Sequence, residues 1–69
     1  MNDFFPSAEP TIEAQINEIR REIGMRVSVY ARRVADGKMS QRAADNQIEL
    51  MQAVERSLIR LQNIIPSGQ

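Results

Sequence analysis

Two stretches of the chain repeat their apolar residues at helical spacing, and a short polar break separates them. In the first, Ile12, Ile16, Ile19, Ile23, Val27, Tyr30 and Val34 follow at steps of four, three, four, four, three and four. Steps of three and four keep side chains on one face of an α-helix, so this is an amphipathic stripe. In the second, Ala44, Ile48, Met51, Val54, Leu58, Leu61 and Ile65 do the same, and from Met51 onward the alternation is strictly three-four, as in a coiled coil. The pattern predicts helix 1 over about 10–36, a turn at 37–39 and helix 2 over about 40–65. Residues 1–9 read as a flexible N-terminal arm and 66–69 as a tail.

The ends of both helices carry their own signals. Pro10 suits a first helical position, Thr11 can cap, and Glu9 and Glu13 favour the positive end of the dipole. Gly37 is the residue expected in a left-handed position after a helix. Ser40 is a good N-cap, with Met39 and Ala44 at the staple positions around it, and Pro66 stops the second helix. A connection this short joins antiparallel neighbours, so the expected fold is all-α: an antiparallel two-helix hairpin, or αα-hairpin. Charge agrees. Helix 1 runs from Glu13, Glu18 and Glu22 to Arg26, Arg32 and Arg33, and helix 2 from Asp45 and Glu49 to Arg56 and Arg60. Antiparallel packing then sets opposite signs side by side, which specifies direction more than it stabilises. Gly24 costs about 1 kcal/mol relative to Ala inside a helix, and a close passage of another helix would explain it.

Length changes the picture. A chain of 69 residues closes only a marginal core unless something staples it. There are no cysteines and no histidines, so disulfides and ordinary zinc sites are out, and oligomerisation remains. Ala43, Leu50 and Ile64 widen the apolar arc of helix 2 beyond what one neighbour covers. The expectation is therefore a homodimer, two hairpins making a four-helix assembly with two-fold symmetry. Its core and dimer contacts are expected from Ile16, Ile19, Ile23 and Tyr30 on helix 1 and from Met51, Val54, Leu58 and Leu61 on helix 2.

Without His or Cys no Ser-His or Cys-His pair exists. Carboxylates and one tyrosine are left, nothing pairs them, and neither an enzyme nor a cofactor or metal site is expected. Nine basic residues balance nine acidic ones, so nucleic acid is not the expected partner. No run reaches the roughly 20 apolar residues of a membrane span, and no secretory signal is expected in the first ten residues. The expected compartment is a cytoplasm.

Chemistry gathers on one flank of helix 1. Met25 and Val29 form a second, smaller apolar strip, and Arg26, Arg32 and Arg33 surround it. Met and Arg are enriched at protein interfaces, and Arg can fork onto a carboxylate while its stem covers apolar surface. These five residues are the candidate partner-binding site. A solvated face with Met25 and Val29 closing the dimer, and a phosphate-binding patch, are the alternatives. Tyr30 falls inside the main stripe. Phe4 and Phe5 either fold back onto a groove of the oligomer, serve as a hook for a partner, or stay unordered.

Residues 18–58 also resemble a set of short phage and prophage proteins. The likeness lies in three blocks: R-R-E-I-x-M-R-x-x-V-Y over Arg20–Tyr30, R-x-V-x-x-G-K-M over Arg32–Met39, and A-D-x-x-I-x-L-M over Ala44–Met51. Many members carry Pro and Trp after the tyrosine. Here Ala31, Arg32 and Arg33 follow, which removes a helix breaker and adds charge. The chain is most similar to the branch that includes the quorum-sensing anti-activator of Pseudomonas phages. That resemblance implies a dimeric helical inhibitor made early in infection, acting in the host bacterial cytoplasm. It implies binding to the quorum-sensing regulator LasR and to the type IV pilus assembly ATPase PilB, with suppression of host signalling and exclusion of superinfecting phage. A small helical DNA-associated accessory factor is the other function class left open.

Overall fold

A computed structural model describes residues 9–64. Within them the chain forms two helices, α1 (Ile12–Ala35) and α2 (Gln41–Ile64), each of 24 residues. Phe4, Phe5, Ile65 and the tail lie outside the described residues.

Three of the four helix boundaries are set by a side chain or a backbone turn. Thr11 is extended (φ −70°, ψ 162°), and its hydroxyl accepts from the Ala14 amide at 3.0 Å. α1 therefore begins at Ile12, two residues later than the periodicity suggests, because Thr11 is the cap rather than the first helical residue. Ser40 does the same for α2, accepting from the Ala43 amide at 3.0 Å. Between them the Lys38 amide donates to the Arg33 carbonyl (2.8 Å) and the Gly37 amide to the Val34 carbonyl (3.0 Å). That nested pair is a Schellman motif. It requires a left-handed residue after the cap, and Gly37 supplies it at φ 74°.

The helices run antiparallel. Ile19 and Glu22 line one groove with Val54 and Leu58. Tyr30 and Val34 line the other with Gln41, Asp45 and Ile48. One ion pair crosses the contact, Arg20 Nε to Glu55 Oε2 at 2.7 Å; the remaining pairs among the described residues lie within one helix. Charge thus marks direction at a single point rather than along the whole seam.

Among the described residues only Ile16 and Ala44 are buried. Ile12, Ile19, Ile23, Tyr30 and Val34 on α1, and Ile48, Met51 and Leu58 on α2, are half-buried. Val27 belongs to the stripe by spacing yet stays 49% exposed. Val54 and Leu61 are also exposed, at 49% and 41%. At about 100° per residue, they lie at the flank of the contact, Val54 at the edge of the groove with Ile19, whereas Ala44, Ile48, Met51, Glu55 and Leu58 face α1. The molecule is one helix thick, with a smallest extent of 13 Å. Neither described helix is long and apolar enough to cross a membrane.

Gly24 departs from expectation. A Cβ built there meets no heavy atom within 4 Å, so no helix of the same chain passes close to it. The position is exposed and helical, and Gly24→Ala should stabilise the fold by about 1 kcal/mol. Thermal denaturation at fixed protein concentration checks this, with a midpoint raised by roughly 4–8 °C. A lowered midpoint would mean that something outside the hairpin packs on Gly24.

Candidate functional site

The candidate site lies along the outer side of α1. From the periodicity, Met25 and Arg32 point roughly opposite to α2, Val29 lies beside them, and Arg26 and Arg33 lean back toward the groove. Met25 is 50% exposed and Val29 is 44% exposed. The two therefore form a small apolar surface with no cover from α2.

The arginines around that surface fall into two groups. Arg26 is held in place: its Nε donates to Glu22 Oε1 at 3.2 Å and its Nη1 to the Tyr30 hydroxyl at 3.1 Å. The Tyr30 hydroxyl first, then the Glu22 carboxylate, raise the Arg26 pKa above its ordinary value, so this cation stays charged at any physiological pH. Arg32 and Arg33 make no ion pair or side-chain hydrogen bond among the described residues, and both stay exposed. They occupy the last turn of α1, where a positive charge complements the helix dipole. Part of their role is accordingly local.

Arg21 was not singled out by the sequence pattern, yet it belongs to the site. Its Nη1 donates to Met25 Sδ at 3.0 Å, and its Nε donates to Glu18 Oε1 at 3.2 Å. Arg21 lies one turn before Met25, so i to i+4 spacing could have pointed to it. The guanidinium covers one side of the thioether, and Glu18 and Glu22 surround it with negative charge. The site is therefore zoned. Its first half is a self-paired network of Glu18, Arg21, Glu22 and Arg26, and its second half, toward the turn, carries unpaired positive charge.

No group of His, Cys, Asp and Glu side chains among the described residues could hold a metal. The two interhelical grooves, of about 370 and 320 Å³, are open troughs along the hairpin, unlike the concave sites that bury most of a small ligand. No protein-family model, curated protein or solved structure matches the chain.

The Glu18–Arg21 pair gives a pH prediction. Hydrogen bonding from Arg21 is the main cause that lowers the Glu18 pKa. A lowered folded-state value means that the pair's contribution is complete above the ordinary glutamate range and is lost as pH falls through the lowered value. The pair is fully exposed, so the effect on global stability should be slight. Carboxyl-carbon NMR titration should place Glu18 below an ordinary glutamate, and Arg21→Ala should return it upward. An unchanged midpoint in that variant would remove Arg21 as the cause.

Proposed function

We propose that the protein is a homodimeric, phage-encoded inhibitor that works by binding host proteins through the outer flank of α1. The observation that carries this reading is the uncovered pair Met25 and Val29, ringed by Arg26, Arg32 and Arg33. A half-exposed apolar centre within a cationic rim fits a partner surface with an apolar pocket edged by carboxylates. The resemblance over residues 18–58 supplies the candidate targets, LasR and PilB, and the host bacterial cytoplasm as the compartment this reading proposes. The mechanism is stoichiometric occlusion: the bound hairpin covers a surface that its target needs for DNA binding or for assembly. No bond is made or broken.

The dimer is part of this proposal. It follows from a hairpin in which two of the described residues are buried and whose sequence has no cysteine for a disulfide. A second reading, a DNA-associated accessory factor, draws on a different observation. Arg32, Arg33, Lys38 and Arg42 gather at the turn end, and none makes an ion pair among the described residues. Binding there through four phosphate contacts would fall steeply with salt, with a slope near −4 in a log–log plot.

The two readings separate in one set of titrations. The purified protein is mixed with LasR, with PilB and with duplex DNA at two salt concentrations. Inhibitor function predicts a discrete complex with at least one of the two proteins, weakened on the order of 10-fold or more by Met25→Asp or Arg33→Ala. Helicity and oligomeric state should be unchanged in both variants. Absence of a complex with either protein, with salt-sensitive DNA binding instead, would transfer the assignment to the second reading.

A further inference from the structure

The turn between the helices holds a reactive dipeptide. Asp36–Gly37 is the one Asp-Gly step in the chain, and no Asn-Gly step occurs. Such a step can cyclise. The Gly37 backbone nitrogen attacks Asp36 Cγ and a C–N bond forms. The nitrogen gives up its proton, Cγ gives up its hydroxyl, and the two leave as water. Water then reopens the five-membered imide at either carbonyl. One opening restores aspartate. The other leaves isoaspartate, with the main chain rerouted through Cβ. Glycine, lacking a Cβ, hinders the attack least.

The fold opposes this reaction in two ways. Cyclisation needs the Gly37 nitrogen eclipsed with the Asp36 Cβ about the Cα–C bond. Asp36 has ψ 2°, which leaves that nitrogen roughly 120° away, the spacing of substituents around a tetrahedral Cα. The Gly37 amide is also engaged, donating to the Val34 carbonyl at 3.0 Å, while the Lys38 amide donates to the Arg33 carbonyl at 2.8 Å. Turning ψ that far takes both amides off their acceptors. Access for water is no barrier, since Asp36 and Gly37 are exposed. The protection is conformational.

We infer that Asp36–Gly37 is a site of isoaspartate formation gated by the turn, closed while the Schellman bonds hold and reactive when they open. Gate and damage are coupled. Isoaspartate adds one methylene to the main chain, inside the rings that both bonds close. The product cannot rebuild the same turn, so opening followed by conversion is a one-way loss of the hairpin. Exchanging Gly37 would not remove the weakness without cost, because its φ of 74° favours glycine.

The full chain is held at neutral pH and fixed temperature, in buffer and in denaturing urea. Trypsin cuts after Arg33 and Lys38, so peptide 34–38 carries the site alone. Its aspartate and isoaspartate forms are equal in mass and separate by reversed-phase chromatography. Conversion should be slower in buffer than in urea on the order of 10-fold or more. Ser40→Ala removes the neighbouring cap without touching the dipeptide. It should speed conversion in buffer about fivefold, up to the urea rate if the variant unfolds, and leave the urea rate unchanged. Asp36→Glu would need a six-membered ring and should convert in neither condition. The purified isoaspartate chain should melt below the parent. Equal rates in buffer and urea would overturn the gate, as would a Ser40→Ala rate in buffer equal to the parent's. Absence of isoaspartate at position 36 in urea would overturn the site. An isoaspartate chain that melts at the parent's midpoint would overturn the coupling of damage to the turn.

Discussion

Two helices in contact along a single line cannot enclose a core, and most features of this protein follow from that constraint. Ile16 and Ala44 are buried, and every other apolar side chain in the contact keeps part of its surface in water. Hydrophobic stabilisation scales with area removed from water. The hairpin therefore leans on local devices: hydroxyl caps at Thr11 and Ser40, a Schellman turn at Gly37, and intrahelical ion pairs. Each contributes little alone, and together they fix where both helices begin and where α1 ends. They do not cover the outer side of α2.

The hairpin was legible because its signals are local. Apolar spacing, capping residues and one glycine specify two helices and the turn between them without reference to any distant contact. The arrangement of α2 was harder to read. Met51, Val54, Leu58 and Leu61 form a strict three-four series, yet the structure divides them: Met51 and Leu58 face α1 and are half-buried, and Val54 and Leu61 lie at the flank and stay exposed. On a helical wheel that series runs between the face toward α1 and an exposed apolar flank, so its regularity belongs to neither. Periodicity finds the centre of a broad apolar arc but not the number of neighbours that share it. Gly24 shows the same limit, since a small residue in a helix looks like a close approach until space is found around it.

The candidate site was legible as an angular position and illegible as a network. Spacing alone places Met25 and Val29 away from the main stripe and scatters three arginines around them. It does not tell that Arg26 is committed to Glu22 and Tyr30, that Arg21 reaches Met25, or that Arg32 and Arg33 stay unpaired. Those distinctions depend on rotamers. They matter because a guanidinium that is already paired must exchange one partner for another on binding, while an unpaired one gives up only water.

The Schellman turn at Gly37 also orders events in time. Val34 and Gln41 stand almost next to each other along the chain, whereas Arg20 and Glu55 are 35 residues apart. Because the helices are antiparallel, each successive contact away from the turn lengthens the loop to be closed by only a few residues, and loop entropy rises slowly with length. The chain can therefore assemble as a zipper, from the turn outward, without a long-range search. The same gradient makes the open end, around Ile12 and Ile64, the last part to order and the first to fray.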